Sequence, residues 1–208
     1  MRVLWWFFMI LASIKLGAQS DSVALVLDRP DGVYLTYNDF RRNIFISKEQ
    51  LSSDLPKDQL DFISKIMLAD KFSYAINSGY QTVDTKNCWG FYQNKTLYVN
   101  FRNEFFRVPV FGAVCYLVAT VTVINNGFYD PMFGYGVNAN RTKEIKEFII
   151  NFYDGIITDF TIERAEQLIS RDALLFAEYR NLSRRSRKEQ LNRYIRRYNE
   201  AHPVYFLN

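Results

Sequence analysis

The chain has 208 residues, a formal net charge of +4 and one histidine, His202. One histidine is too few for a Cys/His zinc centre, a two-histidine metal motif or a multi-histidine iron site, so we predict neither a metal nor a cofactor. His202 lies beside Pro203 and no Gly-x-Ser-x-Gly motif is present, so the sequence also predicts no nucleophilic enzyme.

The first eighteen residues follow the order of a secretory signal peptide. The basic residue Arg2 precedes an apolar run of twelve residues at 3–14, and small residues come before the expected cleavage site after Ala18. Twelve helical residues rise about 18 Å, which is too short for the roughly 30 Å hydrocarbon core of a bilayer. We therefore expect removal of residues 1–18 and export of residues 19–208 as one soluble α+β domain to the periplasm or exterior of a bacterium.

Short elements and turn signals alternate at the start of the predicted domain. Residues 30–32 (Pro-Asp-Gly) indicate a turn, and residues 33–35 that follow predict a short strand. Thr36, with Asp39 three residues later, has the pattern of a capping box. That pattern predicts a short helix that contains Phe40.

The middle of the chain is predicted to be mainly β-structure. Residues 62–76 fit either a helix or alternating strands, and we favour strands from residue 71 onward. A β region follows over residues 82–124, with a hairpin turn at 93–95 and a corner at Gly112. Short connections of this kind join antiparallel strands, so the pattern indicates a meander.

A loop and another hairpin are predicted next. Residues 125–140 are rich in glycine, asparagine and aromatic residues and favour a loop, whose aromatic side chains are ligand candidates. Segments 147–153 and 156–159 flank Asp154-Gly155, a strong hairpin signal.

From Thr161 the apolar period becomes helical, and three amphipathic helices are predicted before His202-Pro203 ends the last one. Residues 204–206 are then predicted to dock as a tail or an edge strand. Strands first and helices last indicate an α+β fold, an antiparallel β meander or roll with a C-terminal helical segment packed on one face.

Three segments resemble a group of exported proteins from Bacteroidetes bacteria. They are residues 32–40 (GVYLTYNDF), 88–98 (CWGFYQNKTLY) and 194–203 (YIRRYNEAHP), and a signal peptide that ends in Ala-Gln is also typical of the group. The resemblance covers nearly all of the chain after residue 18. It implies export and no particular activity, because no reaction is assigned to the group.

Two further patterns suggest chemistry, but turn or loop structure explains each. Residues 134–139 match Gly-x-Gly-x-x-Ala without the strand and helix that a dinucleotide site needs. A carboxylate-based hydrolase stays an alternative, although each candidate acid sits at a predicted turn or strand end; the candidates are Asp84, Asp130, Asp154 and Asp159. We therefore expect no catalytic residue and no enzyme.

The two cysteines, Cys88 and Cys115, leave two states open. In an oxidising compartment they could form a disulfide, whereas a domain of this size does not require one. Two buried thiols would pack as small apolar side chains.

The last predicted helix carries the strongest charge feature, a cluster of positive charges formed by Arg184, Arg185, Arg187 and Lys188. Removal of the leader lowers the chain's net charge of +4 by two, so the charge does not predict a nucleic-acid partner. The leading hypothesis is a non-catalytic binding or structural protein of the bacterial envelope. An alternative is that the basic helix contacts an anionic surface, either lipid headgroups or an acidic partner.

Overall fold

The computed structural model describes residues 29–125 and 140–207. Within these ranges the strands are β1 Gly32–Tyr34, β2 Ile46–Ser47, β3 Leu51–Ser52, β4 Lys71–Ile76, β5 Gly79–Asp84, β6 Gly90–Gln93, β7 Thr96–Phe101, β8 Glu104–Arg107, β9 Val114–Asn125, β10 Asn140–Asn151 and β11 Ile157–Asp159. The helices are α1 Tyr37–Arg41, α2 Phe62–Ile66, α3 Ile162–Ile169, α4 Ala173–Arg180 and α5 Arg184–Ala201, with a 3-10 turn at Thr85–Asn87.

The strands form three antiparallel sheets. We call them the central sheet, in the order β2-β1-β6-β7-β8, the small sheet, β3-β4-β5, and the long sheet, β11-β10-β9. In the long sheet, β9 and β10 pair along their entire length, from Val114 opposite Asn151 to Asn125 opposite Asn140. No helix of the described residues has the length and apolar character needed to cross a bilayer.

Both faces of the central sheet are buried. Neighbouring residues on a strand point to opposite faces, so the two faces pack into different cores. Val33 and Phe91 face a first core, which contains α2 and the inner side of the small sheet. Tyr34 and Tyr92 face a second core, which the long sheet and the C-terminal helices also enter. The central sheet is therefore the middle layer of the molecule.

Local sequence explains how the first helix begins. The backbone N–H of Asp39 donates to the Thr36 hydroxyl at 3.0 Å, and the N–H of Thr36 donates to the Asp39 carboxylate at 3.0 Å. This is the predicted capping box. It turns the chain so that Phe40 is buried against Tyr34 and Trp89.

The turn from β6 to β7 has the predicted position. Asn94 and Lys95 both have positive φ angles, 49° and 59°, which a tight two-residue hairpin needs. Gly90 begins β6, and a Cβ there would lie 2.4 Å from the carbonyl oxygen of Tyr98. Only glycine fits this close approach of two backbones.

The C-terminal helices begin at side-chain caps and bury one stripe each. Thr161, Asp172 and Ser183 accept backbone N–H bonds at the starts of α3, α4 and α5. The buried side of α5 consists of Leu191, Tyr194, Ile195 and Tyr198.

The α+β fold and its antiparallel sheets are as predicted, and strand β4 begins at the expected residue, Lys71. Two details differ. Strand β9 leaves the meander and pairs with β10, and residues 140–146 belong to β10 although no strand was predicted there. Residues 140–146 are mostly polar or charged and include few apolar side chains. Their strand conformation therefore depends on backbone pairing with β9. The signal segment and residues 126–139 lie outside the described residues.

Candidate functional site

A cavity of about 320 Å³ lies between the second-core side of the central sheet and the end of α5. We call it the tail cavity, because the C-terminal tail closes one side of it. Its volume is at the lower end of the range typical of small-molecule sites, which is about 300–1,000 Å³. Its lining is Arg29, Phe40, Tyr92, Lys95, Thr96, Leu97, Arg107, Val108, Pro109, Phe111, Gly112, Asn199, Pro203 and Val204.

The connection from β8 to β9 supplies one wall. Val108 continues the ladder beyond β8, since its N–H donates to the carbonyl of Leu97 at 2.9 Å. Phe111 packs edge-on against Phe40 and Phe152, with ring centroids 6.1 and 5.5 Å away. These contacts fix an apolar surface from three parts of the chain.

The end of α5 supplies the opposite wall through Asn199. The N–H of Val114 donates to Asn199 Oδ1 at 2.8 Å, and Asn199 Nδ2 donates back to the Val114 carbonyl at 2.8 Å. A Cβ on Gly112 would lie 2.4 Å from Cγ of Asn199, so glycine leaves room for this pair of bonds. The amide is thus occupied in holding the wall and offers little to a ligand.

Arg29 is the most buried cation of the cavity, with an exposed fraction of 9%. Its Cζ lies 3.2 Å from the ring centroid of Phe206 and 5.2 Å from that of Phe40. Its Nη1 donates to the Tyr34 hydroxyl at 3.2 Å. Burial lowers the pKa of Arg29 and raises the pKa of Tyr34, and their mutual interaction opposes both shifts.

Among the described residues, three cations line the tail cavity and no aspartate or glutamate does. Lys95 and Arg107 are exposed, so they lie at the mouth, whereas Arg29 is buried. Across residues 29–125 and 140–207, no carboxylate lies within ion-pair distance of any of the three. The cavity therefore combines apolar walls with uncompensated positive charge.

The basic residues predicted as a binding surface on α5 do not act as one group. Arg184, Arg185 and Lys188 are exposed, and Arg185 pairs with Glu189 at 2.9 Å. Arg187 differs from the expected outward position, because it is half-buried and its Nη1 lies 3.1 Å from Oε1 of Glu166 on α3. Contact with an anionic surface stays a prediction for the three exposed cations.

The two cysteines are free thiols and belong to different cores. Cys88 lies in the first core and Cys115 in the second. Burial raises the pKa of each thiol to about 12. Both are therefore protonated at neutral pH and unsuited to nucleophilic attack.

None of the remaining candidates that the structure describes lines the cavity. His202 Nε2 lies 3.1 Å from Oδ2 of Asp172, at the junction of α4 and α5. The candidate acids have structural partners: Asp84 pairs with Lys71, Asp159 pairs with Arg164, and Asp154 accepts from Asn151 and Ile156. Asp130, the glycine-containing loop and its aromatic residues lie outside the described residues.

The sequence did not indicate Arg29, Lys95 or Arg107 as site residues. Each is an isolated basic residue near a turn, and the one motif that contains any of them, residues 88–98 around Lys95, implies no activity. The available signal was that Glu104 is the one acidic residue in the sequence between Asp84 and Asp130, a stretch that contains Lys95 and Arg107. Only the paired strands and the docked tail bring the three together.

Comparison with known proteins adds no functional assignment to this geometry. Among the described residues, no group of three or more histidine, cysteine, aspartate or glutamate side chains is arranged to hold a metal ion. The chain matches no protein-family model, and it shows no significant similarity to a curated protein or to a solved structure.

Proposed function

We propose that this chain is an exported, non-catalytic binding protein and that its ligand site is the tail cavity. The observation that carries the proposal is a concave apolar surface whose described lining contains three cations and no carboxylate. Sites for small molecules commonly combine apolar walls with a few polar groups that fix orientation. Export is proposed from the N-terminal sequence alone.

The chemistry of the lining favours binding over catalysis. General acid–base catalysis usually relies on histidine, aspartate, glutamate, lysine, tyrosine or cysteine with a suitable pKa, in contact with the reacting group. The lining offers only Lys95, which is at the exposed mouth, and Tyr92, which is buried in the second core. The guanidinium groups of Arg29 and Arg107 bind and orient anions but do not exchange protons near neutral pH.

Filling the cavity tests the proposal. The fluorescent probe 1-anilinonaphthalene-8-sulfonate, which has an apolar body and one negative charge, is titrated into the purified protein. Thr96 lines the cavity and is half-exposed, so Thr96→Phe places a ring in the cavity with little disturbance of the core. We expect it to weaken probe binding at least about tenfold, the equivalent of about 1.4 kcal/mol.

The matched control is Thr120→Phe. Thr120 is an exposed residue on β9, distant from the cavity lining, and the substitution adds the same ring to a strand. Probe affinity should be unchanged in this variant. Equal probe affinity in the wild-type protein and in Thr96→Phe would contradict the assignment of the cavity as the binding site.

A further inference from the structure

We infer that the ligand of the tail cavity is a small carboxylate with an apolar body, and that Arg29 binds its carboxylate group. This inference rests on the proposed function, and it adds the chemical class of the ligand. It depends on the burial and contacts of Arg29, on the charge of the cavity mouth and on the apolar walls.

Arg29 is a buried charged group, and no carboxylate of residues 29–125 and 140–207 lies within ion-pair distance of it. Its exposed fraction is 9%, and the described groups around its guanidinium are the neutral Tyr34 hydroxyl, the rings of Phe40 and Phe206, and Tyr92. Cation–π contact and one neutral hydrogen bond replace only part of the lost hydration. A ligand anion at this position would supply the missing negative charge.

The hydrogen-bonding state of Arg29 leaves room for that anion. Only Nη1 donates to a protein acceptor, the Tyr34 hydroxyl, among the residues the structure describes. Arg29 lines the cavity, and its Nε and Nη2 have no hydrogen-bond partner among these residues. The planar guanidinium can therefore present parallel N–H groups to a carboxylate, the geometry in which arginine and carboxylate bind most strongly.

The mouth and the walls define the rest of the ligand. Lys95 and Arg107 at the mouth add positive potential, which attracts an anion before it binds. Behind them the walls are apolar, formed by Phe40, Leu97, Val108, Phe111 and Val204. A single buried guanidinium within apolar walls suits a monoanion with a hydrocarbon body better than a multiply charged phosphate, which needs more donors.

Octanoate and 1-octanol test the inference, because they share an apolar chain and differ in charge. Isothermal titration of the full chain should show octanoate binding at least about tenfold more tightly than octanol, as expected for a charge-assisted hydrogen bond. In Arg29→Gln, octanoate and octanol should bind with about equal affinity, and the affinity for octanol should be the same as in the wild-type protein. Retained octanol binding also shows that the variant still forms the cavity.

Arg102→Gln is the control, since Arg102 is an exposed arginine at the β7–β8 turn and does not line the cavity. It should keep the full preference for octanoate. Equal affinity for the two ligands in the wild-type protein would overturn the carboxylate inference and leave the cavity as a neutral-ligand site. An unchanged preference in Arg29→Gln would overturn the role of Arg29, and no binding of either ligand would overturn the ligand class.

The two experiments distinguish an error in the proposed function from an error in this inference. If Thr96→Phe leaves probe binding unchanged, the cavity is not the site. If Thr96→Phe abolishes probe binding while octanoate shows no advantage over octanol, only the carboxylate inference fails.

Discussion

Asn199 connects the last helix to the long sheet through both atoms of its amide. One atom accepts from the Val114 N–H and the other donates to the Val114 carbonyl, each at 2.8 Å. This pairing satisfies two backbone groups at the start of β9, next to the corner formed by Gly112. The Asn199 side chain thus makes the two hydrogen bonds to Val114 that a neighbouring strand would otherwise make.

Asn199→Ala should lower the free energy of unfolding by about 1–3 kcal/mol, because it removes the partners of the N–H and the carbonyl of Val114, a buried residue. Urea denaturation measures this change. Asn192→Ala is the matched control, since Asn192 is an exposed asparagine on the same helix, and it should change stability by less than about 0.5 kcal/mol. Equal effects of the two substitutions would show that the Asn199 pairing contributes no stability.

Residues differ in how far their roles can be predicted from the sequence. The Thr36–Asp39 capping box was predicted because both partners lie within one turn of the chain. Arg29 and Asn199 were not, because their partners Phe206 and Val114 are far away in the sequence. The residues of the candidate site therefore became apparent only from the folded chain.

The C-terminal helices are held together by ion pairs as well as by their apolar stripes. Glu166 of α3 pairs with Arg187 of α5, and Glu178 of α4 accepts two hydrogen bonds from Arg197, at 2.6 and 2.7 Å. Helical periodicity predicted the apolar stripes correctly. It did not predict which cations turn towards a neighbouring helix, because that depends on how the helices pack.

The Glu178–Arg197 pair predicts how stability depends on pH. Hydrogen bonds from Arg197 and Tyr194 lower the pKa of Glu178 from 4.5 to about 2 in the folded protein. A lowered folded-state pKa stabilises the fold above about pH 4.5, and this contribution is lost as the pH falls towards 2. Glu178→Gln should therefore reduce the loss of thermal stability between these two pH values.

Melting temperatures measured across this pH range provide the test. Glu200→Gln is the control, because Glu200 is an exposed glutamate at the end of α5 with no ion pair among the described residues. It should follow the wild-type curve. A Glu178→Gln curve that coincides with the wild-type curve would show that the pair does not contribute to the acid sensitivity of the fold.

The element that the sequence predicted least well is the long hairpin of β9 and β10. The long apolar run at residues 114–124, which is rich in β-branched residues, predicted β9. The first half of β10 is rich in charged residues, and Ile145 is 77% exposed, so no face of that segment has an apolar signature. Its strand state is a consequence of pairing with β9 and not of its own composition.

At the scale of the whole molecule, the central sheet belongs to two cores at once. Val33 and Phe91 pack into the first core, and Tyr34 and Tyr92, their neighbours in sequence, pack into the second. Loss of either core would expose one entire face of this sheet to water. We therefore expect the two cores to unfold together, in agreement with the prediction of one domain over residues 19–208.

Ile63→Ala in the first core and Leu117→Ala in the second test this expectation. Both side chains are fully buried, and each truncation should lower the free energy of unfolding by about 2–5 kcal/mol. Trp89 packs against the second core, so its fluorescence reports on that side. In Ile63→Ala, the fluorescence and far-UV circular dichroism transitions should shift by the same amount; separate midpoints would indicate two independently unfolding units.

The contact between Arg29 and Phe206 has a consequence for the order of events during synthesis. These residues come from opposite ends of the described sequence, and Val204 beside Phe206 closes the cavity that Arg29 enters. Leu207 then donates its N–H to the carbonyl of Arg41 at 2.8 Å, which fixes the tail against α1. Because a chain is made from its N-terminus, the proposed binding site forms only after residues 204–207 have been synthesised, and a nascent chain cannot capture ligand before then.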